Sequence, residues 1–277
     1  MKSFRHKIVV VTGAASGMGR AYAELFADEG AKLALCDFDE KGLKETAGLI
    51  RGAHPQAEII TMKVDVSDRQ QVIAFADKVE AELGKAQVVI NNAGVEGNNR
   101  PVWALDISQI ERVMNINFYG VVHGTQAFLP QLMDSEEGAL VNVSSLFGLM
   151  GTPNASDYCA SKFAVRGFTE SLMTELQYSH VQVHLVHPGG VATGISRSGG
   201  NDDFKERFLK SDAKAICREV IRGIKQDKLR IICAHQARSS MLGIRFLPLR
   251  LLQKLIWLDM GRVVDKTHYP QNIRRKK

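Results

Sequence analysis

Residues 8–19 read IVVVTGAASGMG, and this stretch decides the fold of the chain. Ile8 to Val11 form a short β-branched run, which is typical of a buried parallel strand. The turn after it carries glycines in the pattern G-x-x-x-G-x-G, and a helical pattern runs from Arg20 to about Glu29. The stretch therefore predicts a strand, a tight turn and a helix in succession.

The three glycines of this turn suit a phosphate ligand. Gly13 allows a tight turn, Gly17 lets the backbone approach a pyrophosphate, and Gly19 lets the helix pack on the strand. The free N–H groups and positive dipole end of the helix then face the phosphates. The alternative is a glycine-rich turn without a ligand, but the strand before it and the helix after it favour a dinucleotide site.

An acidic residue ends the second predicted strand. This strand covers residues 32–36, and Asp37 follows it, eighteen residues after Gly19. A carboxylate there accepts a hydrogen bond from a ribose 2′-hydroxyl and repels a 2′-phosphate. Neither Phe38 nor Ser16 is positively charged. The pattern predicts NAD rather than NADP, the alternative being that Asp37 only caps the next helix.

A second motif lies in the middle of the chain. Tyr158 and Lys162 are four residues apart in YCASK, and Ser145 lies thirteen residues before the tyrosine. Residues four apart share a helix face, and an ammonium beside a phenol lowers the phenol pKa from about 10. Such a phenol can exchange a proton with a substrate oxygen. The alternative for this motif alone is an amphipathic helix with a surface lysine.

Together these motifs resemble those of the short-chain dehydrogenase/reductase family. The resemblance covers residues from about Lys7 to Thr193, some two thirds of the chain. Further matching segments are Asp65 in VDV, Asn91-Asn92-Ala93-Gly94, Asn117 in NFYG, Ser145 in VSS and PGGVAT at 188–193. The usual family ending V-T-G-x-x-x-x-V-D-G-G is absent from the sequence, which puts the subunit contacts made by that ending in doubt.

The resemblance implies roles for four catalytic residues. Ser145 orients the substrate oxygen, and Tyr158 acts as general base on an alcohol or general acid on a ketone. Lys162 lowers the pKa of Tyr158 and binds the nicotinamide ribose, while Asn117 holds a water that links Lys162 to solvent. The implied cofactor-binding residues are Gly13, Ser16, Gly17, Met18, Gly19, Asp37, Phe38, Asp65, Val66, Asn92, Ala93, Gly94, Tyr158, Lys162, Pro188, Gly189, Val191 and Thr193.

Composition narrows the class of protein. The 277 residues are 45% hydrophobic and 24% charged, which is ordinary for one globular domain. The four scattered cysteines form no C-x-x-C and no zinc pattern, so we expect no metal site and a reducing, cytoplasmic setting. The sparse aromatics are not interleaved with basic residues, which argues against nucleic-acid binding. His184 and His187 are expected to be packed side chains on one face of a strand.

The alternation of strands and helices predicts an α/β fold: a single-domain doubly wound parallel sheet, or Rossmann fold, with a helical C-terminal extension. Strands are expected near residues 7–12, 32–36, 58–64, 87–90, 138–143, 181–187 and 229–233. The helix from about residue 157 to 177 carries the tyrosine and the lysine. The motif residues all fall at or just past strand ends, so one cleft collects them.

The last third of the chain is less typical. Residues 1–193 form the predicted core, and residues 194–210, rich in glycine, serine and charge, are either a substrate loop or a surface connection. The remainder, 211–277, contains the last helix and strand and a basic apolar extension. Residues 241–277 hold nine Lys and Arg against two Asp and Glu. This extension caps the pocket, packs on a partner subunit or contacts a membrane peripherally through 241–258; its charges and Pro248 argue against a membrane span.

The sequence thus predicts an NAD-dependent oxidoreductase that interconverts a secondary alcohol and a ketone, with NADP as the less favoured acceptor. Leu146, Phe147, Leu149 and Met150 follow Ser145, so an apolar substrate (a lipid, a steroid-like compound or an aromatic or aliphatic alcohol) is expected. The alternatives are a catalytically silent dinucleotide-binding regulatory or scaffold protein, or a peripheral membrane lipid-modifying reductase. The resemblance also implies a homodimer or homotetramer formed through helices around 103–134 and 157–178.

Overall fold

The computed structural model of the chain describes residues 1–191, 211–233, 243–244 and 246–271. Within these ranges seven strands form one sheet, and every neighbouring pair is parallel. The strands are β1 Ile8–Thr12, β2 Lys32–Asp37, β3 Ile59–Lys63, β4 Val88–Asn91, β5 Gly138–Val143, β6 Val181–Pro188 and β7 Arg230–Cys233. Their order in the sheet is β3-β2-β1-β4-β5-β6-β7.

Helices connect the strands and cover both faces of the sheet. They are α1 Gly17–Asp28, α2 Glu40–Ala53, α3 Arg69–Glu82, α4 Ile107–Met114, α5 Gly120–Asp134, α6 Ser156–Glu175, α7 Ala213–Lys225 and α8 Leu249–Met260. Three of them begin at an aspartate whose side chain accepts a backbone N–H of the first turn, namely Asp39, Asp68 and Asp212. One π-helical turn, Asn115–Tyr119, joins α4 to α5.

The sheet separates two hydrophobic clusters. One contains Tyr22 and Phe26 of α1 together with residues of α2 and α7, and the other contains Phe75 of α3 and Phe128 of α5. The Phe75 and Phe128 rings meet edge to face with centroids 5.9 Å apart. Each buried side chain of this size contributes about 1.5–3 kcal/mol, so both helical layers are held firmly against the sheet.

The strand order reverses direction beside β1. Strand β1 pairs with β2 on one side and with β4 on the other, and the chain then runs outward through β5, β6 and β7. In such sheets a cleft opens beyond the carboxyl ends of the strands at the reversal. The turn after Thr12 and the segment after Asn91 therefore lie side by side at this edge.

The predicted architecture is confirmed. All seven predicted strands are present, and no strand boundary differs by more than one residue from the prediction. Helix α6 begins at Ser156 and ends at Glu175, within two residues of the prediction. The division into 1–193, 194–210 and 211–277 stays a prediction, because residues 192–210, including Thr193 and the predicted substrate loop, lie outside the described residues.

The expectation that His184 and His187 share a face of β6 was wrong. Side chains three residues apart on a strand point to opposite faces. Val186 belongs to the cluster under α1 and α7, whereas Val183 belongs to the cluster under α3 and α5. His184 therefore lies on the α1 side of the sheet and His187 on the α6 side, and both side chains are fully buried.

The segment after α8 packs onto two loops at the carboxyl edge of the sheet. Trp103 donates its indole N–H to the carbonyl of His268 at 2.9 Å. Asn154 donates to the carbonyl of Asp265 at 2.8 Å and accepts from the Tyr269 hydroxyl at 2.8 Å. The Trp103 and Tyr269 rings meet edge to face, with centroids 5.2 Å apart. These contacts hold the C-terminal segment beside the cleft. In the described ranges, no helix is both long and apolar enough to cross a bilayer.

Candidate active site

The glycine turn packs tightly against its own backbone and against the segment after β4, because Gly13 and Gly19 lack a side chain. Gly13 and Gly17 have φ of +70° and +54°, a region that favours glycine. A Cβ on Gly13 would lie 2.8 Å from Cα of Ala93, and one on Gly19 would lie 1.8 Å from the Gly13 carbonyl oxygen. Ser16, at the N-cap of α1, makes no side-chain bond to the first turn. This cradle fits the pyrophosphate of a dinucleotide, since a helix N-terminus attracts anions.

Thr12 joins the glycine turn to the segment after β4. Its hydroxyl accepts the backbone N–H groups of Asn92 and Ala93, each at 3.0 Å. In return, the Asn92 side chain donates to the Thr12 carbonyl at 2.9 Å. The two loops that border the cleft are therefore fixed to each other.

Asp37 is held by backbone groups at the end of β2. Its carboxylate oxygens accept the N–H groups of Ala15 and Asp39, both at 2.9 Å. Phe38 is 67% exposed, and the Lys63 ammonium lies 5.3 Å from the centre of its ring. Lys63 faces Asp37 across the β2–β3 pairing. The sequence analysis missed this cation because Lys63 lies 26 positions after Asp37 along the chain. Only the register of β2 and β3 brings the two residues together.

Asp65 and Val66 lie at the next strand end along the cleft. One carboxylate oxygen of Asp65 accepts both the backbone N–H and the hydroxyl of Ser67, at 2.9 and 2.6 Å. The imidazole Nδ1 of His123 donates to the Val66 carbonyl at 2.9 Å. These bonds fix the loop that carries two of the implied cofactor-binding residues, Asp65 and Val66.

Ser145 and Tyr158 meet at the carboxyl end of β5. Ser145 starts the short 3₁₀ turn Leu146–Gly148, and its hydroxyl accepts the N–H of Phe147 at 3.1 Å. The Ser145 side chain also lies near enough to the phenol of Tyr158 to lower the pKa of that phenol. Burial raises the pKa of Tyr158 to about 12, and the Ser145 bond opposes that rise.

Lys162 is buried one helical turn after Tyr158. Its ammonium donates to the Val143 carbonyl at 3.1 Å and lies 5.8 Å from the centre of the Tyr158 ring. Burial lowers the pKa of Lys162 to about 8. The predicted lowering of the phenol pKa is thus not found, because burial dominates both side chains and disfavours both charged forms.

Asn117 lies in the π-helical turn and is fully buried. Its amide group donates to the Val95 carbonyl at 2.9 Å and to the Ser161 hydroxyl at 3.1 Å, and its oxygen accepts the Val95 N–H at 2.7 Å. A Cβ on Gly94 would lie 3.1 Å from the Asn117 amide oxygen and 3.5 Å from the Lys162 ammonium. The structure therefore brings Asn117, Gly94 and Lys162 together, and π-helical turns of this kind are frequent at functional sites.

A buried carboxylate beside Tyr158 was missed by sequence reasoning. Asp157 is 1% exposed and accepts the backbone and side-chain N–H groups of Asn98, at 3.0 and 2.9 Å, and the N–H of Tyr158 at 2.8 Å. Gly97 must lack a side chain, because a Cβ there would lie 2.4 Å from Asp157 Oδ1. Asp157 therefore clamps the loop after β4 to the start of α6. Its position next to Tyr158 was the available signal.

Of the remaining cofactor-binding candidates, Pro188, Gly189 and Val191 lie at or just after the end of β6, and Met18 lies in α1. Gly189, just after Pro188, donates its N–H to the Cys233 carbonyl at 2.9 Å, and Val191 forms an isolated parallel bridge with Ser211. The Met18 carbonyl accepts a bond from the Cys217 thiol at 3.5 Å. Within the described ranges, no group of three potential metal ligands occurs.

Comparisons with known proteins agree with this geometry. The family model described as short chain dehydrogenase matches residues 7–203. The chain is 39% identical over 251 residues to the "Putative oxidoreductase SadH" of Mycobacterium tuberculosis, covering 86% of this chain and 90% of that protein.

Two solved structures extend the comparison. A short chain dehydrogenase/reductase from Burkholderia phymatum in complex with NAD has a TM-score of 0.82 and 30% identity, covering 96% of this chain and 98% of its own. An alcohol dehydrogenase from the archaeon Thermococcus sibiricus, complexed with 5-hydroxy-NADP, has a TM-score of 0.71 and 26% identity, covering 81% and 93%. From its residues, its fold and these relatives, the chain belongs to the short-chain dehydrogenase/reductase family of oxidoreductases.

Proposed function

We propose that this protein is an NAD-dependent dehydrogenase/reductase that interconverts a secondary alcohol and a ketone. The observation that carries the proposal is the meeting of Ser145, Tyr158 and Lys162 at the same sheet edge as the glycine turn and Asp37. A bound nicotinamide supplies the hydride acceptor or donor, and the protein supplies position and proton transfer.

Three of the four catalytic candidates, Ser145, Tyr158 and Lys162, have roles that their contacts support. Ser145, whose hydroxyl accepts the Phe147 N–H, holds the substrate oxygen. Tyr158 transfers the proton, and with its pKa near 12 it is protonated at neutral pH, the form that donates to a ketone. Alcohol oxidation requires the phenolate, which a positive charge near the phenol favours. Lys162, held between Val143 and the phenol, is the side chain that carries such a charge.

A preference for NAD is supported by the charge and placement of Asp37. Both of its oxygens are tied to backbone N–H groups, so the carboxylate stays fixed at the end of β2. A fixed negative charge there repels a 2′-phosphate. Lys63 has the opposite effect, because its ammonium beside Phe38 attracts a 2′-phosphate. We assign the larger effect to Asp37, because backbone bonds hold its carboxylate directly at the strand end.

An apolar substrate is supported by the lining of the cleft. Phe147 meets the Tyr158 ring edge to face, with centroids 6.2 Å apart, and Leu149 is buried nearby. The docked C-terminal segment adds Trp257 and Tyr269 beside the cleft, and the Tyr269 ring contacts both Trp257 and Trp103. Such a rim favours alcohols with a large hydrocarbon part.

The Tyr158→Phe variant tests the enzymatic proposal against a silent dinucleotide-binding protein. Turnover is followed through reduced-nicotinamide absorbance, with NAD or NADP and alcohols graded from short aliphatic to long-chain and steroidal. We expect wild-type turnover that improves with apolar size, and in the variant a loss of turnover with intact NADH binding. Wild-type protein that binds NADH but turns over no member of the panel would support the silent alternative.

Assembly into a homodimer or homotetramer is proposed from exposed apolar side chains on the helices expected to pair. Ile107, Met133 and Phe163 are 69%, 49% and 41% exposed on α4, α5 and α6. A contiguous exposed apolar patch can mark a subunit interface, and the three helices that carry these side chains are the ones that the family resemblance expects to pair. Light scattering of the purified protein measures the mass, and a monomer at micromolar concentration would contradict the proposal.

Peripheral membrane contact is a second proposal, for helix α8 within residues 241–258. Leu251, Leu255 and Leu258 are exposed at helical spacing and are accompanied by the basic residues Arg250 and Lys254. An apolar stripe beside basic groups fits an anionic lipid surface. Co-sedimentation with vesicles of neutral or anionic lipid tests this contact, and a Leu255→Gln variant should bind less. We also propose a cytoplasmic setting, supported by four buried cysteines that form no disulfide.

A further inference from the structure

His187 is a buried histidine that none of the proposed roles uses. It lies next to the end of β6, where it faces Ile232 of β7, and its side chain has no solvent exposure. Its Nδ1 lies 2.7 Å from the backbone carbonyl oxygen of Ser145. A carbonyl can only accept, so Nδ1 carries the proton and donates it.

The carbonyl that His187 holds belongs to the segment that presents the Ser145 hydroxyl. This segment leaves the sheet after Val143, where regular strand pairing ends. The Ser145 carbonyl also accepts the N–H of Gly148 at 2.9 Å, which closes the 3₁₀ turn. Two donors on one carbonyl, one from the turn and one from β6, fix the orientation of the Ser145 peptide group relative to the sheet.

A second pair of bonds anchors the preceding residue. Ser144 donates its N–H to the Val186 carbonyl and its hydroxyl to the Lys162 carbonyl, both at 2.8 Å. These bonds fix Ser144 but leave the peptide group after Ser145 to His187 and Gly148. His187 is thus the side chain in the described residues that ties this peptide group to the neighbouring strand.

The surroundings keep the imidazole neutral. Burial is the main cause that lowers the pKa of His187 to about 4. The positive charges of Arg230 and Arg166 also lower this pKa, whereas the bond to the Ser145 carbonyl and the negative charge of Glu170 raise it. Above that pH the ring carries one proton, on Nδ1, and Nε2 has no partner among the described residues. A ring with one fixed tautomer holds the same bond throughout the neutral pH range.

We propose that His187 is a positioning residue: its Nδ1–H bond to the Ser145 carbonyl holds the Ser145 hydroxyl against the Tyr158 phenol in the geometry that proton transfer needs. This inference rests on the proposed function and deepens it by adding a residue that acts through Ser145. A shift of about 1 Å in a substrate-orienting group can cost about 10²-fold in rate, so the bond matters more for turnover than for binding.

Three variants test the proposal. His187→Asn keeps an amide donor near the Nδ1 position, whereas His187→Leu removes the donor at similar volume. His184→Leu is the matched control, because His184 is equally buried on the same strand and its Nδ1 bonds the Lys228 carbonyl, at the opposite end of β6. Each variant is measured for kcat, KM, NADH affinity and thermal midpoint.

We expect His187→Leu to lower kcat by about 10- to 100-fold while NADH affinity stays within about twofold. His187→Asn should recover most of kcat, and His184→Leu should keep it despite a similar drop in thermal midpoint. Equal losses of kcat in His187→Leu and His184→Leu, or no recovery in His187→Asn, would show a purely structural role and overturn the proposal.

The tautomer gives a readout that does not depend on turnover. Nitrogen-15 NMR of histidine-labelled protein at neutral pH should show His187 as the Nδ1–H form, with the signal identified by its loss in His187→Asn. An Nε2–H form would refute the bond itself. If the wild-type protein turns over no substrate, the proposed function fails, and this spectrum still decides whether the Ser145 contact exists.

Discussion

Acid should destabilise this protein through His187, in an amount that its burial sets. The folded protein keeps the imidazole neutral, with its pKa lowered from 6.5 to about 4. Below about pH 6.5 the unfolded chain binds a proton at His187 that the folded protein does not bind, so protonation favours the unfolded state. The free energy of unfolding therefore falls as the pH drops from 6.5 toward 4. Between pH 8 and pH 5 the loss from this one residue is about 2 kcal/mol.

The His187→Asn variant isolates this contribution because asparagine cannot titrate. Urea unfolding of both proteins at pH 8 and pH 5, without cofactor and at one protein concentration, gives four free energies of unfolding. The variant starts less stable at pH 8, but its loss on acidification should be smaller than that of the wild type by about 2 kcal/mol. The same loss in both proteins, within about 0.5 kcal/mol, would refute the assignment of a buried neutral imidazole.

Three further predictions concern the cleft and its rim. Asp37→Asn removes the charge but keeps an acceptor, and should raise the ratio of kcat/KM with NADP to that with NAD by at least about tenfold; an unchanged ratio would show that another group selects the cofactor. Gly97→Ala drives a methyl group against the buried Asp157 carboxylate and should lower kcat/KM by about tenfold or more without weakening NADH binding; full activity would contradict the clamp. Tyr269→Phe removes a bond to Asn154, so the thermal midpoint should fall by about 2–4 °C, and KM should rise more for long alcohols than for short ones. Equal KM changes for long and short alcohols would show that the C-terminal segment does not contribute to the substrate site.

The strands were predictable because they are short, apolar and buried on both faces. Ile8–Thr12 and Val88–Asn91 are buried throughout, and a continuous apolar run between turn residues is the pattern of a parallel strand. The candidate site followed from the same pattern, because its residues occupy positions just after strand ends. Local sequence is sufficient for such features.

Other features depend on contacts between distant residues. Trp103 meets His268 across 165 positions, and no local pattern indicates that pairing. The π-helical turn at Asn115–Tyr119 differs from an α-helix by one hydrogen-bond step, which residue types do not encode clearly. The direction of the Tyr158 pKa shift could not be predicted from the sequence either, because it depends on how deeply the completed fold buries the phenol.

The Thr12 hydroxyl has a consequence for how the chain folds during synthesis. Strands β1, β2 and β3 can pair as soon as they emerge from the ribosome, but the partners of this hydroxyl, Asn92 and Ala93, come eighty and eighty-one residues later. Contacts so distant in sequence form slowly. Until the fourth strand docks, the glycine turn therefore lacks the bonds to Asn92 and Ala93 that the Thr12 hydroxyl makes in the folded protein. For the proposed dinucleotide-binding protein, ligand at a hundred times its Kd adds about 2.7 kcal/mol to the folded state, and this stabilisation requires the docked fourth strand.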